Sequence, residues 1–259
     1  MSDALPRTRL YIDQPLSAGA AVALDAGRAH YLRAVLRLGP GDAVLAFNGR
    51  DGEYLAGIGA LGKSAGTLRA DRQTRAPDTG APPPPRLLFA PLKGGRSEYV
   101  VEKAVELGAG RLTPVFTRRG DVSRVNLDRM RANAVEAAEQ CERLDIPDID
   151  DGIDLHRLLA CWDPSIPLLV AAESGAAQPL VTAVTAAAGQ AVAFLVGPEG
   201  GFDQQELDAL RRLPFVVGVG LGPRVLRADT AAFAVLSVWQ AVAGDWRCRQ
   251  ADMRPPHRA

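Results

Sequence analysis

Two short segments in the second half of the chain decide its fold. They are FLVGPEGGF at 194–202 and LGPRVLRADTA at 221–231. Each begins as an apolar run that stops at a Gly-Pro pair. The first run leads into a helix pattern, and the second into a Gly-, Pro- and Arg-rich stretch that precedes another helix. Because open α/β sheets bind ligands at the carboxyl ends of their strands, two such loops close in sequence predict one shared pocket.

Strand and helix patterns alternate through the region around these loops. Asp203 and Glu206 form a capping-box pattern, Ser97 and either Asp229 or Thr230 are predicted helix caps, and Gly108 is a predicted helix stop. This alternation predicts a mostly parallel sheet with helices on both faces. The predicted strands are 87–91, 112–117, 168–172, 191–196 and 215–221, and the predicted helices are 97–107, 127–141, 203–212 and 230–243.

The chain before these elements has a different pattern. Short strand-like runs at 20–24, 42–47, 53–58 and 66–70 are separated by turn pairs such as Asn48-Gly49, and one helix at 27–36 follows a possible Asp25 cap. This pattern predicts a small β-barrel. The segment APDTGAPPPP at 76–85 favours an extended, polyproline-like linker. We therefore predict a barrel at 1–75, a linker at 76–85, an α/β domain at 86–247 and a tail at 248–259.

Composition points to an ordinary globular protein of 259 residues, 47% apolar and 23% charged. The formal net charge is zero, but residues 1–124 carry a net +6 and residues 125–259 a net −6. A basic N-terminal half is compatible with a polyanion partner, and a solvated surface explains it equally well. The three cysteines have no CxxC spacing and the histidines no metal-ligand spacing, so we expect no metal and no disulfide framework. The N-terminus has no secretory pattern and the stretch 231–243 is too short to span a bilayer, so we expect a cytoplasmic protein with no membrane association.

Glycine-rich stretches are the first candidates for ligand binding. In Gly197-Pro198-Glu199-Gly200-Gly201 the glycines allow a ligand to approach the backbone, although a tight strand–helix turn explains them as well. The absence of a GK[ST] pattern excludes a phosphate-binding P-loop. The stretch GVGLG at 218–222 resembles a dinucleotide fingerprint, but its glycines lie in a predicted strand and Pro223 follows. Too few residues remain for the βαβ unit that this fingerprint needs, so we reject it.

Charged residues supply the other candidates. Arg227 carries a planar guanidinium suited to a base oxygen or a phosphate. The stretch KGGR at 93–96 follows a predicted strand and is a candidate phosphate contact. Two further sets lie on predicted helices, where an RNA-contacting face and a solvated surface are both possible. They are His30, Arg33 and Arg37, and Glu136, Glu139, Gln140 and Arg143.

Together these segments resemble the RsmE family, the bacterial 16S ribosomal RNA uracil-N3 methyltransferases of the SPOUT class. The resemblance covers nearly the whole chain, and the order and spacing of its motifs make it specific. Two departures are Asp229, where relatives often carry Glu, and Glu142, where many relatives have a glycine. The matching segments are RLYI at 9–12, HYLRAVLRLGPGD at 30–42, FNG at 47–49, KGGRSEYVVEKAVELGA at 93–109, TPVFTRR at 113–119, EAAEQCER at 136–143, LVGPEGGF at 195–202 and LGPRVLRADTA at 221–231.

The resemblance implies an N-terminal PUA-like RNA-binding barrel and a C-terminal SPOUT domain with a deep trefoil knot. It also implies a homodimer that binds S-adenosylmethionine and methylates 16S rRNA, within the small ribosomal subunit. The implied cofactor-binding residues are Leu195, Gly197, Glu199, Gly200, Gly201, Leu221, Gly222, Leu226, Arg227, Thr230 and Ala231. The candidate RNA-binding residues are Arg9, His30, Arg33, Arg37, Lys93, Arg96, Gln140 and Arg143.

The chemistry of uracil N3 makes Arg227 the predicted catalytic residue. The N3–H group is a weakly acidic imide, and a fixed cation near the flanking carbonyl oxygens would stabilise its anion. The target must be an unpaired or flipped uridine, because N3 lies on the pairing edge. Glu139 and Asp229 are the candidates for a general base. The alternatives are a knotted methyltransferase acting on another RNA, such as transfer RNA or a ribose 2′-hydroxyl, and a non-catalytic RNA-binding assembly factor.

Overall fold

The computed structural model describes residues 5–77, 83–171 and 177–247. These divide into two compact units. The N-terminal unit contains 5–77 and also 138–146, and the second unit contains the other described residues. The sequence patterns do not predict this return of the chain to the N-terminal unit. The predicted tail at 248–259 and the middle of the predicted linker lie outside the described residues, and the predicted domain boundaries stay predictions.

The N-terminal unit is built on a five-stranded sheet with the order β1-β3-β4-β5-β2. Strand β1 pairs with β3 in parallel, and the other neighbours are antiparallel. The four predicted strands are confirmed, and only the short β1 was missed. The strands are β1 Arg9–Tyr11, β2 Ala21–Leu24, β3 Ala43–Phe47, β4 Glu53–Leu61 and β5 Gly66–Arg75.

The predicted helix at 27–36 consists of two different pieces. Helix α1 spans Ala26–His30, and its predicted cap is confirmed because the Asp25 carboxylate accepts a 2.8 Å hydrogen bond from the amide of Arg28. The chain then widens into a π-helical turn over Tyr31–Val35. Such turns are rare and are often found at functional sites.

Alternating apolar residues on these strands fill the core of the N-terminal unit. Val22 and Leu24 on β2 face the same core as Leu68 and Ala70 on β5, and each is at most 3% exposed. Complete burial of one such aliphatic side chain contributes roughly 1.5–3 kcal/mol. This alternation therefore sets the register of the sheet, since a shift by one residue would expose the apolar set.

The second unit contains a sheet with the order β11-β13-β10-β12-β6-β7-β8, and β9 also pairs with β7. The pairings are all parallel. This arrangement confirms the predicted α/β class with a mostly parallel sheet. The strands are β6 Arg86–Phe89, β7 Arg111–Phe116, β8 Asp148–Ile149, β9 Ile153–Asp154, β10 Leu168–Ala171, β11 Gln178–Pro179, β12 Ala193–Val196 and β13 Val216–Gly220.

Helices connect these strands, and the four longer predicted helices are confirmed within two residues at each end. The short α4 and α5, and the short strands β8, β9 and β11, have too few residues to show a periodic pattern and were missed. No helix within the described ranges is long and apolar enough to cross a membrane. The helices are α2 Arg96–Glu106, α3 Leu127–Cys141, α4 Leu155–Ala160, α5 Leu180–Ala186, α6 Gln204–Arg211 and α7 Ala228–Val242, followed by a 3₁₀ turn at Asp245–Arg247.

The start of α2 corrects one predicted cap. The helix begins at Arg96, and the residue before it is Gly95 with a φ of +79°. The Ser97 hydroxyl instead accepts a 2.7 Å hydrogen bond from the amide of Leu92 and donates to the carbonyl of the same residue at 3.0 Å. Ser97 therefore holds the loop after β6 in place. The predicted stop at Gly108 is confirmed, with a φ of +77°.

Strand order places the two loops that we identified from sequence at one edge of the sheet. Strand β12 lies between β6 and β10, and β13 is the other neighbour of β10. Because these strands are parallel, their carboxyl ends meet at the same edge. The loops after β6, β12 and β13 therefore converge there, as the spacing of the motifs predicts.

Candidate active site

The first loop follows β12, whose four residues are all buried. Its far end is held by the capping box of α6, which is confirmed. The amide of Glu206 donates to the Asp203 carboxylate at 2.7 Å, and the amide of Asp203 donates to the Glu206 carboxylate at 2.8 Å. Glu206 is only 1% exposed, and it also accepts a 2.8 Å hydrogen bond from the amide of Arg118. The loop is thus fixed at both of its ends.

The glycines of this loop serve different purposes. A Cβ added to Gly197 would lie 2.9–3.3 Å from the buried ring of Phe202, so this position is glycine because of internal packing. Gly201 has a φ of +65°, and nothing described lies within 4 Å of a Cβ added there. Gly222 in the second loop is similar, with a φ of +95° and open space. Gly201 and Gly222 therefore leave backbone accessible to a ligand.

The second loop follows β13 and confirms that GVGLG is not a dinucleotide fingerprint. Gly218 and Gly220 lie inside the strand, and no helix begins directly after it. Leu221 and Leu226 are half-buried, and Val225 between them is 80% exposed. This segment therefore presents apolar side chains beside accessible backbone, a combination that suits a ligand with an aromatic base.

Helix α7 begins at Ala228, which corrects its predicted cap. The residue before the helix is Arg227, whose side chain makes no capping hydrogen bond. Asp229 and Thr230 lie inside the first turn, where the Asp229 carboxylate accepts a 2.7 Å hydrogen bond from the amide of Thr230. Neither residue is the N-cap. A carboxylate in the first turn still interacts favourably with the helix dipole.

One arginine connects the two loops. Arg96 donates from Nε and Nη2 to Oδ2 of Asp229 at 3.0 and 2.9 Å, and its Nη1 forms an ion pair with Glu199. Glu199 belongs to the first loop, and Asp229 lies just after the second. We call these three residues the Arg96 clasp. The Arg96 guanidinium is bound to two carboxylates of the protein, and its predicted contact with RNA stays a prediction.

The clasp sets the protonation state of Asp229. Burial opposes ionisation of this carboxyl, but hydrogen bonds from Arg96 and from the amide of Thr230 outweigh it, and the pKa of Asp229 is lowered. The hydrogen bond to Asp229 in turn raises the pKa of Arg96. A carboxylate with a lowered pKa is a weak base. This environment argues against Asp229 as a general base.

The positively charged side chains around the two loops differ in whether they interact with other groups of the protein. The Arg227 side chain is exposed and makes no hydrogen bond or ion pair with the part of the chain that the structure describes. The Lys93 side chain is 68% exposed, and its one ion pair with a described residue is a 3.1 Å surface contact with Asp121. Arg119, which the sequence did not single out, donates to the carbonyl of Gly200 at 3.2 Å. Arg227 and Lys93 therefore remain available to a substrate, and Arg119 supports the first loop.

Leu195 and Ala231 differ from the other predicted cofactor residues in being buried. Leu195 is 0% exposed and packs in the core of the second unit, which leaves its side chain no accessible surface. Ala231 is 7% exposed in α7. The other predicted residues lie in the two loops or in the first turn of α7. They are Gly197, Glu199, Gly200, Gly201, Leu221, Gly222, Leu226, Arg227 and Thr230.

In the N-terminal unit, the prediction that Arg9 contacts RNA is wrong. Its side chain is only 1% exposed and donates to the buried Glu53 carboxylate at 2.8 Å. It also donates to the carbonyls of Ala138 and Arg143 at 2.7 and 2.9 Å, and it stacks 4.0 Å from the ring centroid of Phe47. Arg9 therefore holds the segment 138–146 in the N-terminal unit.

The remaining candidates of this unit separate into bound and exposed groups. The Arg143 side chain is held by the protein. Its guanidinium donates two hydrogen bonds to Asp145, at 2.7 and 2.8 Å, and the side chain is 12% exposed. Glu139 accepts a 2.9 Å hydrogen bond from the amide of Tyr11. This structural role does not support Glu139 as a general base. The exposed candidates are His30, Arg33, Arg37 and Gln140.

Comparison with known proteins gives the class of the chain. A model of the RNA methyltransferase domain matches residues 81–240, and a model of the RNA methyltransferase PUA domain matches residues 24–70. The chain is an RNA methyltransferase by class, with a PUA-like domain before the methyltransferase domain. The ribosomal RNA small subunit methyltransferase E of Rickettsia conorii is 31% identical over 230 residues, which cover 88% of this chain and 93% of that protein. The chain belongs to the ribosomal RNA small subunit methyltransferase E family.

Solved structures agree with this assignment. A ribosomal RNA small subunit methyltransferase E from Neisseria gonorrhoeae, bound to S-adenosyl methionine, has a TM-score of 0.82 and 27% identity. It covers 92% of this chain and 99% of its own. A methyltransferase from Legionella pneumophila in complex with the same cofactor has a TM-score of 0.80 and 28% identity, covering 92% and 98%. The predicted family and fold class are confirmed, and the predicted knot stays a prediction.

Proposed function

We propose that the protein methylates N3 of a uridine in the 16S RNA of the small ribosomal subunit, with S-adenosylmethionine as cofactor. The observation that carries the proposal is the Arg96 clasp, which joins the loops after β12 and β13 at the carboxyl edge of the sheet. The family, whose members are named for small-subunit ribosomal RNA, supports the class of substrate. The choice of uracil N3 rests on the resemblance of the motifs.

The residues of the two loops fit this cofactor. Gly201 and Gly222 leave open space beside accessible backbone, so main-chain amides and carbonyls can satisfy the edge of an adenine. Leu221 and Leu226 offer apolar surface for its faces. When bound, the cofactor supplies an electrophilic methyl group. The residues that we propose to hold it are Gly197, Glu199, Gly200, Gly201, Leu221, Gly222, Leu226, Arg227 and Thr230.

Arg227 is the residue that we propose to act on the uracil. Its guanidinium lies at the start of α7, exposed and without a described protein partner, two residues from the clasp. A guanidinium held near a uracil carbonyl oxygen stabilises the negative charge that develops when the N3 proton leaves. A lysine at this position keeps the charge but cannot form the planar fork.

Substrate RNA is held by exposed polar residues in this proposal. Lys93 beside the active-site loops and the exposed set His30, Arg33, Arg37 and Gln140 are the candidates that the fold leaves accessible. We also propose that the protein works as a cytoplasmic homodimer on the small subunit. The resemblance to the family is what supports this form.

The first test is a nucleoside analysis of small-subunit ribosomal RNA from a strain that lacks the gene. Loss of 3-methyluridine in mass spectrometry, with recovery on complementation, is the expected result. Persistence of 3-methyluridine in the deletion strain would contradict the substrate assignment and favour a methyltransferase of another RNA. Titration calorimetry with S-adenosylmethionine tests the enzyme class separately, since a non-catalytic assembly factor would show no binding.

A further inference from the structure

The N-terminal unit contains a cleft that the proposed reaction does not use. Its volume is about 210 Å³. This is smaller than the roughly 300–1,000 Å³ typical of sites for drug-sized ligands, and it suits one heterocyclic base. Residues from three parts of the unit contribute to it. Those that matter for its chemistry are Arg7, Thr8, Tyr31, Leu36, Gln140 and Glu142.

Unusual backbone surrounds this cleft on two sides. Tyr31 begins the π-helical turn and Leu36 follows its last residue. Arg37, with a φ of +58°, and Glu142, with a φ of +65°, are the non-glycine residues with positive φ among those that the structure describes. Such conformations are unfavourable for residues with a Cβ and concentrate at functional sites.

The lining combines three kinds of group that bind an unpaired nucleotide. Tyr31 offers an aromatic ring that packs against the core of the unit and is partly accessible. The exposed Gln140 amide and the exposed Arg7 guanidinium make no hydrogen bond or ion pair with other described residues. Proteins that bind single-stranded RNA use aromatic rings for stacking, amides for base edges and arginines for phosphates.

We infer that this cleft binds one unpaired nucleotide of the RNA substrate. The base stacks on Tyr31, the Gln140 amide bonds to its edge, and Arg7 pairs with its phosphate. Glu139 and Glu142 also line the cleft and repel phosphate, so the base enters and the phosphate stays on the Arg7 side. The inference rests on the proposed function only in taking RNA as the substrate.

Binding of purified small-subunit ribosomal RNA to the full chain tests the cleft without requiring methyl transfer. We expect Arg7→Ala, Gln140→Ala and Tyr31→Leu each to weaken RNA binding about 5-fold or more, since each removes a hydrogen bond, an ion pair or a stacked ring. Tyr31→Phe, which keeps the ring, should stay within about twofold of the parent if stacking dominates. S-adenosylmethionine affinity should not change in any of these variants.

Arg72→Ala is the matched control for Arg7→Ala. Arg72 is also an exposed arginine of the N-terminal unit, it lies on β5, and it does not line the cleft. If Arg7→Ala and Arg72→Ala weakened RNA binding equally, the effect would come from the overall positive charge of the unit and not from the cleft. That result would overturn the inference. RNA affinity within twofold of the parent for Tyr31→Leu and Gln140→Ala would overturn it as well.

Photo-crosslinking identifies the nucleotide. A benzophenone amino acid at position 140, irradiated with bound RNA, should stop reverse transcription at one unpaired nucleotide that is distinct from the methylated uridine. Crosslinks scattered over many nucleotides, or confined to duplex RNA, would contradict a base-binding cleft. A chain that crosslinks at one site but transfers no methyl group would refute the proposed function and leave this inference standing.

Discussion

Replacing Arg96 with alanine should weaken S-adenosylmethionine binding, although we do not place Arg96 in contact with the cofactor. The substitution removes two hydrogen bonds to Asp229, at 3.0 and 2.9 Å, and the ion pair with Glu199. The side chains are 30% exposed for Arg96, 16% for Asp229 and 46% for Glu199. The Asp229 pair is therefore partly shielded from water, and the Glu199 pair is largely solvated.

The exposures of the two pairs decide the size of the effect. Hydrogen bonds to charged groups contribute about 1.5–3 kcal/mol, and a solvated ion pair contributes about 0–1 kcal/mol. Allowing for the exposure of Arg96, we assign roughly 2 kcal/mol to the whole clasp. If the cofactor binds only when both loops are held together, its Kd rises by up to about 30-fold.

Isothermal titration calorimetry on purified variants measures this change. Arg111→Ala is the matched control, because Arg111 forms a bidentate ion pair with Asp150 at the amino end of β7, in the same unit but away from the loops. We expect Arg111→Ala to lower thermal stability and leave cofactor affinity unchanged. Arg96→Lys should fall between the parent and Arg96→Ala, because lysine cannot form the planar fork. If Arg96→Ala bound the cofactor as tightly as Arg111→Ala, the clasp would not position the loops.

Three further outcomes follow from the same geometry. Arg227→Ala should lower single-turnover methyl transfer, measured at saturating S-adenosylmethionine, by about 10²–10³-fold, as for loss of one oxyanion donor, and Arg227→Lys should recover part of it; near-parent turnover in rapid-quench assays would exclude the proposed role. The lowered pKa of Asp229 means that its stabilising contribution is fully present above its unfolded-state pKa and is lost as pH falls through the lower folded-state pKa. The affinity for S-adenosylmethionine should therefore not change around neutral pH and should weaken only in acid. The Asp229→Asn variant should bind the cofactor weakly at every pH and show no further loss of affinity in acid. Glu142→Gly should unfold in urea titrations with a free energy about 1 kcal/mol higher than that of Glu142→Ala, because both lack the carboxylate and only glycine adopts a φ of +65° without a Cβ penalty; equal stabilities would contradict backbone strain at this position.

Sequence patterns predicted the elements that have a strong local signal. The Asp203–Glu206 capping box, the Gly108 stop and the four longer helices of the second unit all have signals within a few residues of themselves. The two loops were also predicted to converge, because parallel strands bring their carboxyl ends together. Short elements such as α4 and β8 have no comparable signal and were missed.

Long-range pairing explains the remaining failures. The sequence predicts Arg9 and Arg96 to be free to contact RNA. Their carboxylate partners lie 44 and 103 or more residues away, so no local pattern reveals them. The cap predicted at Ser97 fails for a local reason, since its hydroxyl binds the main chain of Leu92, in the loop before the helix, instead of capping the helix.

The return of residues 138–146 to the N-terminal unit has a consequence for the order of synthesis. The Arg9 guanidinium needs carbonyl acceptors that lie 129 and 134 residues later in the chain. A nascent chain that has emerged only as far as β5 therefore has a charged group with two acceptors missing on the edge strand β1, which is costly when that group is buried. The N-terminal unit cannot complete its own interior until all of α3 and the residues up to Arg143 have also been translated. Its final folding step is thus coupled to the synthesis of the methyltransferase domain, and a fragment ending at residue 77 should be less stable than the same residues in the whole chain.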